Sequence, residues 1–405
     1  VTDELRRLLK EFETELAILK GRVDGLEARV GELEATQFST TTKLKGQADY
    51  FMGAVSYDDR TECIDEGGDC DDDGFSFSYR LTLNLNTSFT GKDRLYTRLR
   101  TGNMNNAWTN KNHYLSDAKS GDNTLKVDKL WYSFPVGDFK FTVGALVENY
   151  YMVETPTRYK PILKAFKLGG YGAVLGASTG QGAGVQWRQN VKPGEAAFNV
   201  AVNYVADGGE GAKSEAELGM FGDATDGYFL SQVGYGNRKW YISALYAHKQ
   251  GADGSKPAMG YSTPAASNYD AALDAFGLRG YWTPEESGII PTISAGFDYG
   301  ISDADADGKT EEVIGWMVGL NWNDAFIEGN KLGIGFGTYS SYATEVKGES
   351  DPDDGNFAIE GYYDFRVTDN ITVTPAVFWI QNADGDASVD GSDSLGGLVK
   401  TTFKF

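Results

Sequence analysis

Nowhere does this chain carry the roughly 18 to 20 consecutive apolar residues that a helix needs to cross a bilayer. Any passage through a membrane must then be made by a closed β-barrel, the other structure that satisfies every backbone group in hydrocarbon. Histidine is almost missing: only His113 and His248 occur, neither in a Ser-His-Asp or metal-ligand spacing. The run from Gly176 through Ser178 to Gly180 resembles a nucleophile elbow superficially, but its first residue is out of pattern and no strand-to-helix context surrounds it. No catalytic residue, cofactor or resident metal is therefore expected, and the chain is not read as an enzyme. Positive charge is also short, with 37 Lys and Arg against 58 Asp and Glu, and a net charge of −21 excludes a nucleic-acid partner. Cysteine is limited to Cys63 and Cys70, close together among Gly and Asp. They read as a local disulfide in an oxidising compartment, with free thiols as the alternative; no further ligand completes a metal site. Asp303, Asp305, Asp307 and Gly308 begin like a calcium loop, yet the twelfth position is Ile314 where a glutamate is required. No secretory leader precedes the charged pattern after Val1, which suggests a processed or truncated chain.

What the chain does have is glycine (51), tyrosine (23) and phenylalanine (22), with few prolines (10), the mixture of many short strands joined by polar loops. Its first 37 residues are different. Leu5, Leu9, Phe12, Leu16, Leu19, Val23, Leu26, Val30 and Leu33 fall at alternating spacings of four and three, a heptad repeat. Glu15 with Lys20, Arg22 with Glu27 and Arg29 with Glu34 are opposite charges at the spacing used between parallel chains. Residues 1–37 thus read as a parallel coiled-coil stalk; the alternative is one amphipathic helix packed on its own domain. Leu and Val share a seam, so the repeat does not choose between two and three strands.

Beyond Gln37 the period becomes two. Phe75, Phe77, Tyr79, Leu81, Leu83, Leu85 and Phe89 alternate with Ser76, Ser78, Arg80, Thr82, Asn84, Asn86 and Ser88, one face for lipid and one for water. Leu95 to Thr101, Phe139 to Val147, Phe198 to Tyr204, Ile314 to Trp322 and Ile371 to Trp379 repeat the pattern. Connections alternate between short turns, such as Gly91 to Asp93 and Pro135 to Asp138, and long loops, such as Asn103 to Asn123 and Glu148 to Gly182. The fold class is all-β transmembrane: an antiparallel barrel of about sixteen strands over residues 38–405, both ends on the short-turn, periplasmic side. Phe405 closes an alternating last strand and is read as the barrel assembly signal.

The third long connection, 148–182, is basic and aromatic, with Tyr150, Tyr151, Arg158, Tyr159, Lys160, Lys164 and Lys167. It is expected to fold inward and narrow the pore. Arg80, Arg94, Arg98 and Arg100 on early strands, facing Glu360, Asp364 and Arg366 on a later one, would set a transverse field across the constriction. The alternative is that these groups pair among themselves and only solvate the wall.

The coiled coil, the barrel pattern, and the run Leu130-Trp-Tyr-Ser-Phe-Pro-Val-Gly137 before Phe139 to Gly144 together resemble the cyanobacterial major outer-membrane porins, relatives of the carbohydrate-selective OprB porins. That resemblance implies a homotrimer in outer-membrane lipid and lipopolysaccharide, passing inorganic ions and small hydrophilic solutes, with iron uptake in some members. In the family a wall-binding domain precedes the coiled coil, so peptidoglycan-linked polymer is a partner only for a longer form. Two further readings stay open: a carbohydrate-selective channel, and a structural tether between outer membrane and cell wall.

Overall fold

The computed structural model describes residues 2–36, 41–65, 70, 74–105, 108–176, 179–251, 265–286, 288–339, 341–349, 352, 354–383 and 391–405. A sequence rich in Leu, Glu, Lys and Arg and free of proline makes helix α1, Thr2–Thr36. Along it Leu5, Phe12, Leu16, Leu19, Val23 and Leu26 are 45–65% exposed. The side chains of Leu9, Val30 and Leu33 fall outside the described residues.

The strands follow as β1 Thr42–Tyr57, β2 Ser76–Thr87, β3 Arg94–Gly102, β4 Lys126–Val136, β5 Phe139–Val147 and β6 Gly180–Arg188. Next come β7 Ala197–Ala206, β8 Gly227–Gly236, β9 Trp240–Gln250, β10 Leu273–Trp282, β11 Thr292–Ser302 and β12 Thr310–Asn323. The last are β13 Lys331–Gly337, β14 Tyr342–Val346, β15 Phe357–Arg366, β16 Ile371–Gln381 and β17 Ser394–Lys404. A short helix α2, Arg60–Asp65, lies in the first long loop, where Cys63 and Cys70 are disulfide-bonded.

Apart from β13 and β14, which pair with β12, each strand pairs antiparallel with its sequence neighbour, and β1 pairs with both β2 and β17, from Gln47 opposite Lys404 to Tyr57 opposite Ser394, which closes the cylinder. Closure removes the sheet edges that lipid cannot satisfy. Because β13 and β14 both pair with β12, they form one broken stave, and the barrel has sixteen. The break follows Gly337, where Thr338 turns its hydroxyl back to accept from the Trp316 amide. At the closing seam the backbone of Phe405 bonds in both directions with Gly46.

Lipid meets Phe77, Phe141, Val143, Phe198, Ile242, Leu278, Phe297 and Val377, all exposed on outward positions. Two sequence expectations are corrected here. Val147 does not continue the outward row of Phe139 to Ala145: a bulge between Gly144 and Val147 adds a residue and turns Val147 into the interior, fully buried. Nor is the inner face uniformly polar. Phe51, Val55, Met317, Phe378, Ile380 and Leu398 point inward and pack with Trp108, Leu115, Leu163 and Phe166 from two long loops. Part of the lumen is therefore a hydrophobic core of the ordinary kind, and water is confined to the rest.

Candidate functional site

The connection after β5, described over residues 148–176, lies against the inner wall, and each leg is fixed by side chains of the strands it crosses. Asn149 donates to Asn203 and to the Tyr228 carbonyl, and Gln232 clamps Glu154 by accepting from its amide and donating to its carbonyl. Further along, the amides of Arg158 and Tyr159 both donate to Ser294 Oγ. Glu360, 1% exposed, then accepts three bonds: from the Tyr159 hydroxyl at 2.7 Å, the Ile162 amide at 3.0 Å and the Leu163 amide at 2.6 Å. On the return leg Arg279, paired with Asp298, holds the Gly170 carbonyl, and Ser341 Oγ accepts from the Ala173 amide.

Glycine makes this close docking possible. A Cβ on Gly319 would stand 2.2 Å from the Tyr159 ring, and one on Gly296 would stand 1.8 Å from the Gly169 carbonyl oxygen. Both glycines occupy inward positions of β12 and β11, so the sheet is bare where the loop rests. A second loop, 103–125, meets the first through a bridge of Leu115 with Leu163 and a bond from the Ser116 amide to the Ile162 carbonyl.

Cations gather on the inner surface of β3 and β4, beside a small apolar cluster of Tyr96, Trp131 and Val147 with Met152 of the loop. Arg98 pairs with Asp128 and donates to the Tyr151 hydroxyl at 2.8 Å. Arg100 reaches the same Asp128 at 3.7 Å, as do Lys119 at 3.2 Å and Lys129 at 3.9 Å. Lys129 also pairs with Glu148 at 3.5 Å. From the loop, Lys164 stands 4.6 Å over the Tyr114 ring and Lys167 stands 4.6 Å over Tyr150. Burial, with Lys167 beside it, pushes the Lys164 ammonium down to about 8. Nearer the short turns, the Arg94 guanidinium lies 4.7 Å over Tyr96 and 5.1 Å over Trp131. Aromatic rings run on from there: Trp131 to Tyr151 at 6.0 Å, Tyr151 to Tyr150 at 4.8 Å, Tyr150 to Tyr171 at 6.2 Å.

The sequence-derived residues thus divide. Arg98, Arg100, Lys164 and Lys167 come together, with Arg94 below them. Arg80 is next to this group but buried, tied to Asp49 and Asp117. Arg158 stacks on Tyr281 and donates to its hydroxyl, on the side of the β8–β9 turn, and Lys160 lies within electrostatic reach of Lys331 and Lys404. Glu360 is covered by the loop, Asp364 accepts from Thr374, and Arg366 pairs with Asp369 in the final turn. Glu360, covered by the loop, and Arg366, paired within its turn, are thus engaged locally, and the half-buried Asp364 keeps access to water. Asp49, Asp117, Asp128, Lys129 and Glu148 were missed, although alternation alone places Asp49 inward on β1.

A closed sixteen-stave antiparallel cylinder, lipid-facing outside and lined by an infolded loop, defines an outer-membrane porin. A family model described as carbohydrate-selective porin, OprB family, matches residues 2–405, and the chain belongs to that family. It is 30% identical to an uncharacterized protein of Nostoc sp., over 99% of this chain and 72% of that one. Among solved structures it is similar to OprB of Pseudomonas putida in its high-pH form, with a TM-score of 0.61, 13% identity, and coverage of 90% of this chain and 94% of that one. The trimer form of OmpT of Vibrio cholerae is similar with a TM-score of 0.55 and 13% identity, covering 90% and 99%.

Proposed function

We propose that the protein is a passive diffusion channel for small hydrophilic solutes with carbohydrates as its main cargo, and that Arg94, Arg98, Arg100, Lys164 and Lys167 form its constriction. The observation that carries this is the zone between β3, β4 and the infolded loop, where Arg98, Lys164 and Lys167 stand against the half-buried rings of Tyr151, Tyr114 and Tyr150. Sugars offer hydroxyls to such donors and C–H faces to such rings, while each contact stays weak enough to release. Inorganic ions share the path. Iron uptake finds no dedicated support, since no cluster of three metal-ligating side chains occurs among the described residues.

In the same reading α1 is a stalk on the periplasmic side that brings three copies together. Six large apolar side chains in water, and interior Gly21 and Gly25 costing about 1 kcal/mol each against alanine, make a lone helix a poor structure. The trimer form of a porin of like fold supports three as the number. The test is liposome swelling with neutral sugars of increasing size. Rates falling steeply with size support the channel, whereas no swelling with any sugar would leave the tether.

A further inference from the structure

We propose that the constriction selects anionic solutes, acidic sugars and small oxyanions, over neutral sugars and cations; this deepens the channel reading above and rests on it. The argument is a charge imbalance in a confined space. Asp128 is shared by Arg98, Arg100, Lys119 and Lys129, while Glu148 pairs with Lys129 and is also within electrostatic reach of Lys167 and Arg98. Lys164 and Lys167 face the same zone: both are within electrostatic reach of Glu148 and Arg100, Lys164 also of Lys167 and Lys129, and Lys167 also of Asp117 and Arg98. Six cations therefore surround two carboxylates. The adjoining group of Arg80, Lys400, Asp49 and Asp117 is balanced and removes none of the excess.

Packing like charges in a half-desolvated site is costly, and the cost falls when a mobile counter-ion enters. Arg100 is the least satisfied of these cations, since its buried Nε stands 3.7 Å from Asp128, beyond hydrogen-bond distance. Carboxylate or phosphate oxygens would match the guanidinium and the two ammonium groups, while the half-buried Tyr114 and Tyr150 offer ring edges to the remainder of an acidic sugar. The overall charge of −21 does not contradict this. The acidic loops stand at the mouth, where a Debye length of about 8 Å at physiological ionic strength screens them, and the narrow zone decides what passes.

The test uses the full chain in planar bilayers under a tenfold potassium salt gradient, with chloride, phosphate or glucuronate as the anion. The sign of the reversal potential with all three is expected to favour the anion, by about threefold or more in permeability for chloride. Lys164→Gln with Lys167→Gln should move the ratio at least halfway to one, and Lys213→Gln in an outer loop should leave it unchanged. Heat-modifiable migration on gels checks that each variant is assembled, and the sign for the unaltered protein decides the matter if the double variant fails to assemble. Conductance with a cation-selective or neutral sign overturns the inference and spares the channel; no conductance at all overturns the channel. Current carried by chloride and phosphate but not by glucuronate overturns the acidic-sugar part alone.

Discussion

Replacing Glu360 by alanine should release the infolded loop without opening the barrel. The carboxylate accepts from two loop amides and one phenol, and nothing else of the strand reaches those three donors. Each donor left buried without a partner costs about 1 to 3 kcal/mol, so the docked state should lose about 4 kcal/mol, close to a thousandfold in its population relative to undocked forms. The strand ladder is untouched, since Glu360 enters it through its backbone. Glutamine should be milder: its amide oxygen still serves Tyr159 and Ile162, but its NH2 group faces the Leu163 amide. Single-channel recording is the assay. The alanine variant should show a larger mean conductance with flickering between levels, the glutamine variant an intermediate noise. Conductance, noise and solute size limit all equal to those of the unaltered protein would refute the claim that Glu360 holds the loop.

Other consequences can be checked one by one. Gly319→Val, which places carbon where the Tyr159 ring lies, should reproduce the flicker of the Glu360 variant, while Gly397→Ala, on an outward position with nothing within 4 Å, should not. Asp49→Ala leaves Arg80 with Asp117 alone and takes the acceptor from Thr402 beside the closing seam of β1 and β17, and should cost about 1 to 3 kcal/mol, seen as a lower temperature of heat-modifiable unfolding. Lys164 is charged below about 8 and neutral above it, so the anion preference should hold at pH 7 and decline as pH rises through that value, read from reversal potentials at pH 6, 7 and 9. Leu16→Asp with Leu19→Asp should abolish chemical cross-linking between stalks while leaving conductance steps intact.

Much of the wall is legible in the chain because membrane strands obey two simple rules: alternation of lipid-facing and inward residues, and alternation of short and long connections. Thr42–Tyr57 and Phe139–Val147 stand close to where those rules put them. The rules fail where the backbone departs from period two. The bulge before Val147 and the break between β13 and β14 have no signature beyond ordinary Gly, Thr and Ser. The interior is less legible, for a physical reason. An inward side chain meets either water or an infolded loop, and which of these it meets depends on residues 100 or 200 positions away, as with Tyr159 and Glu360. Inward Phe51 and Phe378 read as exceptions until Trp108 and Phe166 are seen to cover them. Partners of the arginines were hidden similarly, because Asp117 and Asp128 sit in or beside a long loop and read as part of the acidic outer surface.

The central claim is that a water-filled passage survives beside the docked loops. Adding the purified, detergent-solubilised chain to a planar bilayer tests it most directly. Discrete current steps of uniform size, linear in voltage, are the expected result. A membrane that takes up the protein and stays at its baseline resistance would mean that the two loops and the inward apolar cluster fill the cylinder completely, and the account of a channel would fall.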